Sequence, residues 1–227
     1  MQKIAESGKQ RIAQVKAQDK KRSINRAARR LFARQGYAKT LMKDIAEEAG
    51  VTKTLVQYHY PHKDVFITDL VEDMLDSTNG YLANNGMLKE GYYENLLMVG
   101  AAHFAYLLES EKMRNLTPDI VGDRAVTGKI IDLDIEWARA YMGHGEEGEW
   151  ADGIAIIMGG AYDLIYRSIC SGRALSPRAL IERCVRFLML DQNRPAAEIE
   201  HVLAGYALSD AQLETMLAYL DGELFDR

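Results

Sequence analysis

Residues 24–66 read INRAARRLFARQGYAKTLMKDIAEEAGVTKTLVQYHYPHKDVF, and the spacing within this stretch decides the fold. Ile24, Ala27, Ala28, Leu31 and Phe32 recur at i, i+3, i+4, i+7 and i+8, one face of a helix, with Arg26, Arg29, Arg30 and Arg34 between them. Gly36 follows the last turn, where a left-handed residue commonly closes a helix. Thr40 stands where an N-cap would open a short second helix, with Leu41, Ile45 and Ala46 on its apolar side and Ala49-Gly50 at its exit. Thr52 is placed to cap a third helix that Pro61 bounds. On that helix Val56 and Tyr60 are four apart and face inward. Lys53, Thr54, Gln57 and Tyr58 then lie on an outer, hydrogen-bonding face, as a groove-reading helix requires.

These residues resemble the N-terminal domain of the TetR family of bacterial transcriptional regulators. The resemblance rests on Ala27-Ala28-x-x-Leu31-Phe32, Gly36-Tyr37-x-x-Thr40, Ile45-Ala46, Ala49-Gly50-Val51-Thr52-Lys53 and Tyr60-Pro61-x-Lys63, in family order and spacing. It covers about a fifth of the chain. The resemblance implies a repressor released from a palindromic double-stranded operator by a small apolar or aromatic effector, with no cofactor. Thr40 and Lys63 would join the headpiece Arg and Lys as phosphate contacts, and Lys53, Thr54, Gln57 and Tyr58 would sample base edges beside His59. Thr52 and Leu55 complete the expected DNA-binding set. Three positions depart from the family: Thr54 replaces a usual glycine, Leu55 a small or hydroxyl residue, and Gln57 a tyrosine.

Charge divides the chain in the same place. Residues 1–66 hold 15 Lys and Arg against 6 Asp and Glu, net +9, and the remainder 13 against 27, net −14, which together make the whole-chain −5. A basic head is drawn to phosphates by a sequence-independent, salt-sensitive attraction from which an acidic body is repelled. A merely solvated basic helix face is the competing reading of the charge run alone.

The expected fold is all-α: a basic extension over 1–18, a three-helix DNA-binding headpiece over 19–66, and a larger helical domain over 67–227 for effector binding and dimerisation. With 227 residues the chain has room for both cores. Lys3, Lys9, Arg11 and Lys16 alternate with Ile4, Ile12, Ala13 and Val15, so the extension is either a DNA-contacting arm or a solvated terminus. Beyond Phe66, helices are expected at about 62–81, 92–111, 119–126, 129–142, 149–171, 177–190, 196–204 and 210–220, with breaks at Asn79-Gly80, Asn84-Asn85-Gly86, Thr117-Pro118, 143–148, Ser171-Gly172, Ser176-Pro177 and Asn193-Arg194-Pro195.

Within the body, Ala151, Gly153, Ala155, Gly159, Gly160 and Ala161 crowd one helix with small residues, and Leu180, Ile181, Cys184, Val185, Phe187 and Leu188 mark the next. A pair of such helices, 149–171 and 177–190, either builds a two-fold four-helix homodimer interface or packs inside one subunit. Two recognition helices about 34 to 36 Å apart would meet successive major grooves. Tyr92, Met98, His103, Tyr106, Trp137 and Tyr141 are candidate walls of the effector pocket, with ordinary core as the alternative.

Other chemistries find little footing. No G-x-S-x-G, G-x-x-x-x-G-K or H-E-x-x-H occurs, so an enzyme with an incidental basic head is the weakest of the readings, behind a ligand-independent regulator or activator. His59-x-x-His62 straddles Pro61, and Glu146, Glu147 and Glu149 read as a solvated acidic turn, so no metal site is expected. Cys170 and Cys184 show no ligand spacing and read as buried thiols or, alternatively, a redox pair. The chain reads as cytoplasmic, with no signal core and no apolar run of bilayer length.

Overall fold

The computed structural model describes residues 2–142, 149–205 and 208–226, and for 2–16, 141, 142 and 149 the backbone alone. Among the described residues every regular element is helical. The elements are α1 (Gln2–Gln35), α2 (Met42–Glu48), α3 (Lys53–His59), α4 (Val65–Asn84), α5 (Tyr92–Glu109), α6 (Thr117–Gly122), α7 (Arg124–Met142), α8 (Glu149–Ser171), α9 (Pro177–Asp191), α10 (Ala196–Ala204), α11 (Asp210–Asp221) and a closing π-turn, Gly222–Asp226.

The headpiece is built as its spacing dictates. Ile24, Ala28, Phe32, Ile45, Val56 and Tyr60 are fully buried, each large one worth about 1.5–3 kcal/mol of apolar burial. The Tyr60 ring stacks on Phe66 at 3.9 Å, and Phe32 meets Phe66 edge-on at 6.1 Å, so the start of α4 closes the three-helix core. Gly36 takes φ +87°, as a left-handed helix stop requires.

In the body, α5 is buried on nearly all sides, from Leu97 through Leu107, and α9 lies along it, with α4, α7, α10 and α11 around it. Gly100 allows the closest approach: a Cβ there would stand 2.3 Å from Ile181 Cδ1. The α8 to α9 hairpin turns through Gly172 at φ +67°, and Ser176 caps α9 by accepting from the Ala179 amide at 3.2 Å, ahead of Pro177.

Several boundaries differ from expectation. The extension over 1–18 is no separate element, because α1 runs unbroken for 34 residues from Gln2. The fourth helix starts at Val65, since Pro61 and the turn after it hold the chain in irregular conformation, and Asn79-Gly80 lies inside it. Thr117-Pro118 begins α6 instead of breaking the chain, because proline is tolerated in a first helical turn, and α7 starts already at Arg124. Tertiary burial of Val126, Ile130 and Ile131 supports that earlier start. The Trp150–Ser171 part of α8 is long and apolar enough to cross a bilayer by length and composition, with a third of its most apolar window buried in this fold.

Headpiece and body are joined at more points than the fourth helix alone. Asp119, in the first turn of α6, accepts from the Ala38 amide at 2.8 Å, and the Asn115 amide donates to the Ala33 carbonyl at 2.9 Å. Lys129 pairs with Asp64 at 2.5 Å. Arg29 donates to the Leu224 carbonyl of the π-turn and to the Asp69 carbonyl, both at 3.2 Å, and pairs with Asp73.

Candidate functional site

α3 separates its two faces cleanly. Thr52 caps it, its hydroxyl accepting from the Leu55 amide at 3.3 Å, while Val56 and the C-terminal Tyr60 are wholly buried. This anchoring leaves Lys53, Thr54, Gln57 and Tyr58 exposed, with Tyr58 at 79 % the most exposed large hydrophobic side chain described. His59 is half-buried and meets the Tyr58 ring edge-on at 5.1 Å, and Leu55 is half-buried against the core. Between α2 and α3 the turn is closed at Gly50, φ +62°, with the Val51 amide donating to the Ala46 carbonyl at 2.9 Å.

Two of the residues expected at phosphates do other work. Thr40 is fully buried and does not cap α2; its hydroxyl donates to the Gly36 carbonyl at 2.8 Å and accepts from Gln35 at 3.2 Å. The cap falls to Leu41, whose amide donates to Asp44 at 3.0 Å, one residue later than the sequence pattern indicates. The Lys63 ammonium donates to the carbonyls of Tyr37 at 2.8 Å and Thr40 at 3.1 Å and sits 4.1 Å from the Tyr37 ring centre. It staples the loop before α2, and burial lowers its pKa. The basic back is also partly spoken for: Arg29 is buried, and Arg30 and Arg34 flank Glu48 at 3.4 and 3.2 Å. Lys39 and Lys43, exposed beside the α2 entrance, were missed from the motif because neither belongs to the periodic pattern.

The described helix-turn-helix coincides with residues 24–70, which match the family model of bacterial regulatory proteins, tetR family. That match makes residues 24–70 similar to the N-terminal domain of the tetR family. The chain is 38 % identical over 76 residues, 32 % of this chain, to the HTH-type transcriptional regulator TtgR of Pseudomonas putida. The chain thus spans about a third of the length of the curated relatives it matches. The fold is similar over 90 % of this chain and 98 % of the other to full-length native tylP, a TetR regulator from Streptomyces fradiae, with TM-score 0.52 and 18 % identity. The likeness of fold thus extends through the body, where sequence likeness is low.

The body holds a cavity of about 50 Å³ walled by α4, α5, α7, α8 and α9. His103 and Trp137, of the candidate walls, line it. The other described candidates do not. Tyr106 is fully buried and donates to Asp221 at 2.7 Å, tying α5 to α11; Met98 is buried core; Tyr92 accepts from the Trp150 indole at 3.2 Å away from the cavity. Tyr141 lies outside the described side chains, as do Glu146, Glu147 and Glu149. A helical face carries both core and cavity residues, so spacing alone cannot separate them.

Two cavity-side residues were missed. The Tyr162 hydroxyl donates to Asp134 Oδ2 at 2.7 Å and lies 2.9 Å from His103 Nε2, linking α7, α8 and α5. All three side chains are buried. Burial pushes Asp134 up to about 7 and His103 down to about 4. The signal was present: Ile130, Ile131, Trp137 and Ala138 form the buried stripe of α7, and Asp134 sits within it at helical spacing.

A second, larger hollow of about 430 Å³ opens between α8 and α9, lined by Gly153, Ile156, Gly160, Leu164, Cys184 and Phe187 among others. Ile156 is 76 % and Phe187 53 % exposed there. Cys184 is buried, its thiol pushed up to about 12, whereas Cys170 is exposed, so the two do not share one environment. Among the described residues no group of His, Cys, Asp and Glu is arranged to hold a metal ion.

Proposed function

We propose that this protein is a homodimeric, sequence-specific DNA-binding transcriptional regulator, a repressor released from a palindromic operator by a small organic effector. The observation that carries the reading is the outer face of α3, where Lys53, Thr54, Gln57 and Tyr58 are exposed while Val56 and Tyr60 lock the opposite face into the core. A polar, exposed helix held this rigidly supplies the donors and acceptors that base edges recognise in a major groove. Exposed Lys39, Lys43 and Lys53 hold phosphates and set register. The apolar α8 and α9 surfaces pair about a two-fold axis, which spaces two copies of α3 for successive grooves. Effector binding in the body reaches the headpiece through α4 and through the grip of Asp119 on the loop before α2.

The deciding experiment is selection of DNA from a pool of random duplexes by the full chain at low salt. The expected result is one enriched sequence with two-fold symmetry. Retention of duplexes without any enriched sequence overturns the reading.

A further inference from the structure

The cavity has an acidic vestibule. A cleft of about 200 Å³ between α4 and α7 is lined by Glu72, Asp76, Glu136 and Ala140 together with Leu75 and Trp137, and the last two also line the inner cavity. Leu75 and Trp137 are therefore the partition between an outer cleft bearing three carboxylates and an inner chamber bearing Asp134. None of the residues lining either space is Lys or Arg. We propose that the two spaces together form a binding site for a hydrophobic amine, a protonated nitrogen on an apolar body, admitted when Leu75 and Trp137 part; this rests on the regulator reading given above.

The hydrogen bonds inside the chamber select the end group. Tyr162 has one hydroxyl proton and gives it to Asp134, so its oxygen accepts from His103 Nε2. His103 is then the neutral tautomer with its proton on Nε2, and Nδ1 is a bare acceptor. That Nδ1 is buried without a hydrogen-bond partner on a side chain only 3 % exposed, which a ligand donor would relieve. The chamber thus offers a carboxyl group and an acceptor lone pair, both calling for N–H donors. An anionic ligand would face Asp134 in a medium of low dielectric with nothing to offset it. An ammonium pairs with that carboxylate and removes the cost of burying it alone.

The vestibule adds a field of the same sign. Glu72 has its pKa raised first by burial and then by Asp69, Asp76 and Asp73, which outweigh the opposing effect of Lys21, so negative charge predominates at this entrance. Acid-lined clefts raise the local concentration of cations and their rate of entry. Beyond the carboxyl group the chamber is apolar, with Leu96, Val99, Phe104, Ile154, Met158 and Ile181 around the body of the ligand. The Trp137 ring at the partition can face a passing cation.

Three probes with one apolar body test this: 4-phenylbutylamine, 4-phenylbutanol and 4-phenylbutyrate, titrated calorimetrically into the full chain at neutral pH. The amine is expected to bind about tenfold or more tightly than the alcohol, with the carboxylate weakest. Asp134→Asn is expected to abolish the preference for the amine. Glu136→Gln, an exposed change that leaves the core intact, is expected to weaken the amine a few-fold and leave the alcohol unchanged, a readout that survives any misfolding of the Asp134 variant. Equal or tighter binding of the alcohol or the carboxylate, an amine preference indifferent to both substitutions, or no binding of the amine at millimolar concentration overturns the proposal. DNA selection on the same preparation separates the two readings. Enrichment without amine preference defeats the ligand class alone, and amine preference without enrichment defeats the regulator reading alone.

Discussion

The Lys63 ammonium spans from α4's approach to the Tyr37 carbonyl at 2.8 Å and lies over the Tyr37 ring, joining two ends of the headpiece that are 26 residues apart in sequence. Lys63→Ala is expected to cost about 1–3 kcal/mol of thermal stability, since its charge-assisted bonds to the Tyr37 and Thr40 carbonyls are lost. DNA affinity falls on all sequences alike, because the loop before α2 loses its anchor. The slope of affinity against salt is expected to stay as in the parent. A slope reduced by about one would instead make Lys63 a phosphate contact.

Lys53 and Gln57 share a face of α3 but are expected to fail differently. Lys53→Ala should weaken cognate and random DNA together and reduce the salt slope by about one. Gln57→Ala should cost about 1–3 kcal/mol on the selected operator and nearly nothing on random duplex. Quantitative footprinting over a salt series reads both.

Gly36 joins a left-handed backbone to a crowded surface. Its φ is +87°, and a Cβ would lie 3.0 Å from Asp119 Oδ2 and 3.3 Å from the Asn115 carbonyl oxygen. Gly36→Ala is expected to lose about 1–2 kcal/mol from backbone strain, plus the cost of prising α6 from the headpiece. Gly50→Ala, at φ +62° with nothing within 4 Å, should show the backbone cost alone. Thermal denaturation of the two variants side by side measures the difference.

His103 and Asp134 oppose each other in their response to pH. The folded His103 titrates at about 4, below its ordinary value, so its contribution to stability is present above about 6.5 and is lost as pH falls towards 4. The folded Asp134 titrates at about 7, above its ordinary value, so its contribution is present in acid and is lost as pH rises from about 4 to 7. The groups facing the pair are Tyr162 from α8 and, beyond it, Cys184 from α9. The two slopes largely cancel between pH 4 and 6.5 in the parent. His103→Gln should expose falling stability with rising pH across this window, and Asp134→Asn the reverse. Melting temperature against pH reads the sign.

Phe187 and Ile156 carry the exposed apolar surface of the α8 and α9 hollow. Phe187→Glu places a charge on that surface, and in an isologous interface each copy contributes it. The expected outcome is a monomer of unchanged helicity with at least about 100-fold weaker self-association, measured by sedimentation, together with loss of tight operator binding. Self-association unaffected by the substitution would move the interface elsewhere.

Local order was legible wherever one short-range rule acted alone. The inward set Ile24, Phe32, Ile45, Val56 and Tyr60, the outward set Lys53, Thr54, Gln57 and Tyr58, the Gly36 stop, and the ends of α8 and α10 all follow from helical period, capping and left-handed glycine. Each depends on residues within about one or two helical turns, and the sequence by itself determines them. Which partner a polar group finds depends on distant segments, and there the tertiary structure decided. Thr40 turned inward to Gly36 and Gln35, Lys63 closed on Tyr37, and Arg29 met the π-turn at Leu224, 195 residues away. Tyr106 and His103 are three residues apart on α5, yet one is tied to Asp221 in the core and the other faces a cavity through Tyr162 and Asp134. Helical period places both on the buried side. Only the packing of α7, α8 and α11 against that helix determines which of the two stands beside empty space.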